Sequence, residues 1–340
     1  MKEEIKLRTD VELGVVPTHA KFVGGLVPGD DGRLPRDEKG EFVIAAAMQD
    51  LIERSRVKIA SAQVSAFPGT DPEEYPALIA RLREMGLKVH LVIMVGGVDP
   101  MDPKDEDATV AQLLPTITMA KEQGIEHLAS TSIEQWMQEG AKPKKGKEYD
   151  QALAQVVKVH ARAFREAGLA DSKVQAWHVE FLRPVEFQTF TTLKHLWQFI
   201  TAVNAEIGQP FFKCLVDAAH CGDSGVDLPT NVDLLRGIVS GDGLGIMHAS
   251  ALTTRGCLST DDGWVKGMIS AAAQTGHLKQ VFVEMFHHED DALAGLREAV
   301  EGHGVDTRDG RDYTQVVADG VEEMARVLNN LGSRGFLPES

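Results

Sequence analysis

Residues 174–186 read VQAWHVEFLRPVE, an apolar run that ends on one carboxylate and is followed by another. In a β-strand, alternation places His178 and Glu180 on one face and apolar residues such as Trp177 on the other. An ionised carboxylate is costly to bury, so Glu180 should have a cation, a proton or a hydrogen-bonding partner. The stretch therefore predicts a buried strand that ends on a partnered carboxylate.

Short apolar runs of this kind recur along the chain, and each is followed by a longer segment with helical character. The predicted strands cover residues 12–17, 57–64, 88–95, 125–130, 174–181, 211–217, 243–248 and 280–285. The predicted helices cover residues 42–54, 72–85, 107–123, 149–167, 191–207, 232–239, 263–275 and 290–300. Glycines such as Gly86 and Gly208 mark the expected helix ends shortly before the next strand.

This alternation predicts an α/β protein whose eight βα units close into a (β/α)8 TIM barrel. An open doubly wound sheet fits less well, because no GxGxxG motif follows the first strand. No Pro- or Ser-rich linker divides the chain, so we expect a single domain over residues 1–340 with the barrel at about 11–301. An extra C-terminal helix, at about 313–331, is expected as an addition to the eight units.

The composition and the amino-terminal sequence limit which partners and which cellular compartment we expect. A formal charge of −16 disfavours nucleic acid as a partner, because the protein would repel polyanions. The amino-terminal sequence MKEEIKLRTD has no signal-peptide pattern, and no long apolar window follows, so we expect a cytoplasmic protein with no membrane partner. The cysteines, Cys214, Cys221 and Cys257, are odd in number and form no CxxC pair, which indicates reduced thiols.

The last four predicted strands share one feature at their carboxyl ends, where the active sites of (β/α)8 barrels lie. Each has a polar residue at its last position or one position before it, namely Glu180, Asp217, His248 and Glu284. The residues on the same strand faces two positions earlier, Leu215, Ile246 and Phe282, are apolar, so the polar groups could converge above an apolar floor.

Three carboxylates brought together repel one another unless a cation lies among them. Three oxygen donors and one imidazole favour a divalent ion such as Mn²⁺, with Mg²⁺ and Co²⁺ as alternatives. Any one of these residues alone is more often a cap, a loop anchor or a hydrogen-bonded core residue. Four successive strands that all end on ligand-type residues favour a metal site.

The residues that lie at and after these strand ends form a recognisable series: Glu180, Arg183 and Glu186 (EFLRPVE), Asp217 and His220 (DAAH), His248 and Glu284. The series resembles the xylose-isomerase-like (β/α)8 barrels, and most closely the ketose 3-epimerases such as D-tagatose 3-epimerase. In that family one Glu follows another by six positions and a His follows an Asp by three, as here (186 − 180 = 6 and 220 − 217 = 3). The resemblance covers strands five to eight, and the amino-terminal half matches only as a barrel pattern.

The resemblance implies a role for each matching residue. The implied metal ligands are Glu180, Asp217, His248 and Glu284, and the implied substrate-contacting residues are Glu186, His220 and Arg255. Arg255 is the nearest match to an Arg that follows the strand-seven His in the family. Its loop, HASALTTRGC, differs in sequence from that of the family, and Arg255 lies slightly further from His248 along the chain.

The resemblance implies a metal-dependent sugar isomerase or epimerase. It also implies that Glu180 and Glu284 are the acid/base pair that removes a proton next to a ketose carbonyl and returns it, through a metal-stabilised enediolate. A dehydratase resembling inosose dehydratase is the alternative, and a phosphodiester hydrolase resembling endonuclease IV or a non-catalytic barrel is less favoured. The expected partner is a small-molecule sugar, and we expect a homo-oligomer, either a dimer or a tetramer.

Several other polar residues are weaker candidates near the barrel mouth: His19, Gln63, Ser65, Trp136, His287 and His288. Trp136 lies in SIEQWMQ, which is typical of a short amphipathic helix, so packing is the favoured interpretation. His178 lies one lumen layer below Glu180, and either contact with a metal ligand or an ordinary core position fits it.

Overall fold

A computed structural model describes residues 3–251, 263–287, 289–300 and 310–339. Its parallel strands form a closed barrel in sequence order, with the last strand paired to the first. The strands are β1 (Glu12–Val16), β2 (Ser61–Ala66), β3 (Lys88–Ile93), β4 (His127–Ser130), β5 (Ala176–Glu180), β6 (Phe212–Asp217), β7 (Leu244–Ala249) and β8 (Gln280–Glu284). The predicted (β/α)8 TIM barrel is confirmed.

Helices surround the barrel and follow the predicted segments closely. They are α1 (Val43–Arg54), α2 (Glu74–Glu84), α3 (Glu106–Glu122), α4 (Lys147–Glu166), α5 (Leu193–Ile207), α6 (Ala218–Asp223), α7 (Leu228–Ser240), α8 (Trp264–Gln274), α9 (Ala294–Ala299) and α10 (Tyr313–Ser333). The glycines Gly86 and Gly208 have φ of 83° and 76°, the left-handed conformation expected just past a helix end. The short helix α6 directly after β6 was not predicted.

The barrel lumen contains an apolar layer. Val16, Ala129, Leu215, Ile246 and Phe282 form a buried cluster of their own, separate from the larger core between strands and helices. The predicted apolar floor of Leu215, Ile246 and Phe282 is therefore confirmed. It lies directly below the strand ends that carry the polar residues, because side chains two positions apart on a strand share one face.

Gly14 makes room for the largest side chain of this floor. A Cβ atom on Gly14 would lie 2.6 Å from a ring carbon of Phe282 and 2.4 Å from the Ser61 hydroxyl. Both distances are far below van der Waals contact, so a glycine on β1 is what allows the Phe282 ring to fill the lumen.

The C-terminal helix completes the outer ring of helices. Its predicted span agrees with α10 to within two residues at its C-terminal end, but α10 contacts β1, β8, α1 and α8, the position of an eighth barrel helix. The segment predicted as the eighth helix, residues 290–300, contains a single 3₁₀ turn at Asp291–Leu293 and then the short α9. The helix is therefore a part of the barrel wall, with residues such as Val316, Val321 and Leu328 buried in the main core.

The amino-terminal end of the lumen holds a chain of polar side chains. Glu12 Oε1 lies 2.8 Å from His90 Nε2, the His90 and His127 rings stack with centroids 4.9 Å apart, and His127 Nδ1 lies 3.1 Å from His178 Nε2. His178 thus contacts another histidine below the floor, which supports the core interpretation of this residue.

Other sequence predictions concern the thiols and the membrane. Cys214 and Cys221 are free and buried, and Cys257 lies outside the described residues. Within the described parts of the chain, no helix is both long and apolar enough to cross a bilayer.

Candidate metal centre

The four strand-end residues predicted as ligands come together at the carboxyl mouth of the barrel. One ligand atom from each of Glu180, Asp217, His248 and Glu284 can be chosen so that all of these atoms lie within 4.8 Å of one another. All four residues are buried, and Asp217 is fully so, at 0% exposure. The register of the barrel explains the convergence, because Asp217 pairs with His248 across β6 and β7.

His248 lies at the middle of the cluster. Its Nδ1 atom is 3.1 Å from Glu284 Oε2, 3.8 Å from Glu180 Oε1 and 3.9 Å from Asp217 Oδ2. One imidazole nitrogen therefore faces all three carboxylates. In this arrangement the imidazole and the carboxylates could bind one cation together.

Gln63 on β2 fixes the orientation of the His248 ring. Gln63 Oε1 lies 2.7 Å from His248 Nε2, and since an amide oxygen can only accept, Nε2 carries the proton. Nδ1 is then the nitrogen available as a ligand, and it is the one that faces the carboxylates. Gln63 was only a weak candidate in the sequence, because a neutral amide on a strand gives no charge signal.

Two buried oxygens in the cluster have no hydrogen-bond partner among the described residues, namely Glu180 Oε1 and Asp217 Oδ2. Buried carboxylate oxygens without a donor are costly, so these atoms favour a cation as their missing partner. The donor set of three carboxylates and one imidazole fits a hard or borderline divalent ion. The residues present therefore fit the metal that the sequence predicted.

The electrostatics of the cluster agree with this interpretation. Burial raises the pKa of Asp217 to about 7, and the nearby carboxylates of Glu180 and Glu284 add to the increase. Burial alone would lower the pKa of His248, but Glu284, Glu180 and Asp217 outweigh it and raise that pKa to about 9. The three carboxylates carry negative charge that an uncharged His248 imidazole does not neutralise, so the cluster attracts either protons or a cation.

His220 lies on the short helix α6, which starts at the end of β6. Asp217 caps this helix, because its Oδ1 accepts a hydrogen bond of 2.8 Å from the backbone N–H of His220. The His220 Nδ1 atom lies 3.1 Å from Glu180 Oε1, although the two atoms are not aligned as a hydrogen bond. The structure therefore places His220 beside the predicted ligands.

Glu186 lies on the far side of His220, with its Oε2 atom 3.8 Å from His220 Nε2. Trp136 Nε1 donates to Glu186 Oε1 at 2.9 Å, and Arg183 Nε donates to Glu186 Oε2 at 3.0 Å. The packing interpretation of Trp136 does not hold, since its side chain is 39% exposed, its segment is not helical and its indole N–H contacts a predicted site residue.

The loop that carries Glu186 is held in place by the preceding βα loop. The buried carboxylate of Glu134 accepts hydrogen bonds from the backbone N–H groups of Gln188, Thr189 and Phe190. The backbone carbonyl of Glu186 accepts another from the N–H of Met137 at 2.9 Å. These contacts join the loop after β4 to the loop after β5. The two loops together hold Glu186 in position, on the side of the site away from the predicted ligands.

The remaining candidates fall elsewhere. Arg255 and His288 lie outside the described residues, so Arg255 stays a prediction. His19 is buried with its Nε2 atom 3.5 Å from the Ala47 carbonyl oxygen, and the His287 ring stacks on Tyr313. These contacts place His19 and His287 in packing positions.

The chain thus combines a closed (β/α)8 barrel with a buried carboxylate–histidine cluster at its carboxyl mouth. No protein-family model and no curated protein matches the chain. Solved structures match its fold. An L-ribulose 3-epimerase is 16% identical, with a TM-score of 0.71 over 96% of this chain and 97% of that chain.

Two further solved structures bear on the fold. A D-allulose 3-epimerase from Methylomonas sp., solved with D-allulose, is 16% identical with a TM-score of 0.68, covering 95% of this chain and 99% of that chain. A D-psicose 3-epimerase from Clostridium cellulolyticum H10, solved with D-tagatose, is 13% identical with a TM-score of 0.65, covering 94% and 99%. The chain has the fold of the ketose 3-epimerases, and the resemblance seen in strands five to eight is confirmed at that level.

Proposed function

We propose that the protein is a metal-dependent sugar epimerase or isomerase that acts on a ketose. The observation that carries this proposal is the buried cluster of Glu180, Asp217, His248 and Glu284, in which three carboxylates share one imidazole and two oxygens lack a partner among the described residues. The fold supports the substrate class, because structures with the same fold include epimerases solved with D-allulose and D-tagatose.

These four side chains would hold one divalent cation, for which Mn²⁺ is our first choice and Mg²⁺ or Co²⁺ the alternatives. When bound, the cation supplies Lewis-acid stabilisation of negative charge on the substrate oxygens. The identity of the ion is a proposal from donor type alone.

The protein side chains divide the proton transfers. Glu180 and Glu284 end strands five and eight, so they approach a bound substrate from different sides of the mouth. One takes the proton from the carbon next to the carbonyl, which leaves an enediolate, and the other returns a proton to the opposite face. This sequence inverts one stereocentre. Return of the proton to the neighbouring carbon instead gives aldose–ketose isomerisation.

Glu186, His220 and Arg255 are proposed as substrate-binding residues. His220 Nε2 has no hydrogen bond to any described residue, so its N–H could reach a substrate oxygen from beside the cluster. The formal net charge of −16 argues against a phosphodiester hydrolase that acts on DNA, because DNA phosphates would be repelled.

The test is a screen of C4 to C6 ketoses, with and without phosphate, by proton NMR in D2O with the metal-loaded protein. We expect deuterium to enter one carbon without loss of water. Glu180→Gln and Glu284→Gln should each lower the exchange rate by at least about 100-fold, the usual contribution of an acid/base residue. Metal content should fall with the activity.

Glu12→Gln is the matched control, because Glu12 also lies on a barrel strand but at the opposite end of the lumen from the cluster. It should leave exchange unchanged. Loss of water with formation of an enone would favour the dehydratase. A protein that exchanges no ketose proton and binds no divalent ion would contradict both enzyme assignments.

A further inference from the structure

Arg183 is a buried cation beside the proposed site, and it is only 4% exposed. Its Nε atom donates to Glu186 Oε2 at 3.0 Å, and its Nη1 atom donates to Asp223 Oδ2 at 2.9 Å. A buried guanidinium needs such partners, and among the described residues two carboxylates share its charge. The positive charge of Arg183 is therefore neutralised within the protein, and its contact with Glu186 forms without a substrate.

The Glu186 carboxylate is held at both oxygens. Trp136 donates to Oε1 and Arg183 donates to Oε2, with N–O distances of 2.9 and 3.0 Å. Charge-assisted hydrogen bonds of this kind from planar donors fix the direction of a carboxylate as well as its position. Glu186 cannot turn about its terminal bond without losing one of the two.

This restraint determines the distance to His220. Glu186 Oε2 lies 3.8 Å from His220 Nε2, beyond hydrogen-bond range, while His220 Nδ1 faces Glu180 at 3.1 Å. Glu186 is thus close enough to attract the imidazole and too far to take its Nε2–H. The Nε2–H stays available on the side of the ring that points away from the proposed ligands.

We propose that Arg183 is a positioning residue, which holds Glu186 back from His220 so that the His220 Nε2–H can donate to a substrate oxygen. Without Arg183, the Glu186 carboxylate is free to close the gap and accept that hydrogen bond itself. The inference rests on the proposed function for its catalytic consequence, but the contact between Arg183 and Glu186 can be tested without any substrate.

Asp223 provides the matched control. It is the second carboxylate on the same guanidinium, but it lies at the end of α6 and contacts none of the proposed ligands in the described structure. Asp223→Asn removes one partner of Arg183 and leaves the Arg183–Glu186 pair intact. Arg183→Lys keeps the charge but not the planar donor pair, and the double variant Arg183→Gln/Asp223→Asn removes one charge of each sign so that folding is retained.

The reporter is the indole N–H of Trp136, one of four tryptophans, observed by ¹⁵N–¹H NMR and assigned with Trp136→Phe. We expect the Trp136 signal to shift in Arg183→Lys and in the double variant, and to stay in place in Asp223→Asn. In the metal-loaded protein, kcat should fall by about 10- to 100-fold in the two Arg183 variants with KM changed much less, as for a misplaced catalytic contact.

The outcomes separate the two proposals. Folded Arg183 variants with an unmoved Trp136 signal would overturn the inference, as would a loss of activity in Asp223→Asn equal to that in the Arg183 variants. A shifted signal with unchanged kcat in an active enzyme would also overturn it. If the wild-type protein exchanges no ketose proton, the proposed function fails, and the Trp136 signal alone then supports or refutes the hold of Arg183 on Glu186.

Discussion

Gln63→Leu should weaken metal binding although Gln63 is not a ligand. The amide is fully buried on β2, and its Oε1 atom is the acceptor for His248 Nε2 at 2.7 Å. Leucine has a similar volume but no acceptor, so the buried Nε2–H of His248 would lose its partner. The proton can then move to Nδ1, the nitrogen that would bind the proposed cation.

The size of the effect follows from the single contact that is lost. Removal of a hydrogen-bond partner behind a metal-ligating histidine lowers affinity by about 10- to 100-fold, or about 1.4 to 2.8 kcal/mol. Competition with a chelator for Mn²⁺, followed by electron paramagnetic resonance of the free ion, measures this loss directly.

Ser65→Ala is the control, since Ser65 lies on the same strand face two residues nearer the mouth and its hydroxyl makes no hydrogen bond to a described residue. It should bind Mn²⁺ as the wild type does. An Mn²⁺ affinity of Gln63→Leu within about twofold of the wild type, in a folded protein, would refute the assignment of Nδ1 as the ligand atom.

Two further predictions concern the fold. Gly14→Ala should lower the free energy of unfolding by about 1–3 kcal/mol in urea, because the new methyl group would overlap the Phe282 ring, while Gly96→Ala, with open space around it, should be near neutral. For His160, burial lowers the pKa from 6.5 to about 4, so the unfolded chain takes up the proton first and stability falls as the pH drops through this window. Between pH 7.5 and pH 5, the free energy of unfolding in urea should therefore fall by about 2 kcal/mol less for His160→Gln than for the wild type. Parallel pH profiles of the two proteins would contradict this.

The fold was predictable because its signals are local. Apolar runs, helical segments and glycines at helix ends repeat along the chain, and each follows from the conformational preferences of a few neighbouring residues. The boundaries were less accurate. The second strand was predicted from residue 57 but starts at Ser61, because Val57 and Ile59 are buried in the lead-in to the strand without pairing in the barrel.

The short helix α6 was missed for a related reason. Asp217 was interpreted only as a strand-end ligand, yet its side chain also caps the helix that begins at the next residue. The sequence shows only that an aspartate lies at the end of an apolar strand, and this does not reveal that the same side chain caps a helix. The segment DAAHCGD is also too short to show helical periodicity.

The division of the site between the two halves of the barrel explains what the sequence could and could not show. The charged residues of the candidate site come from strands five to eight, where their positions at strand ends and the resemblance to the ketose 3-epimerases predicted them. Their supports include Gln63 from β2 and Trp136 from the loop after β4, and both are neutral residues whose partners lie 185 and 50 positions away in the chain. A charged group at a buried strand end is costly without a partner, so the sequence alone predicts that it has one. The partner of a neutral donor or acceptor can be recognised only from the closed barrel, in which the two residues lie side by side. The amino-terminal half thus contributes to the same site through hydrogen bonds that fix the direction of His248 and Glu186.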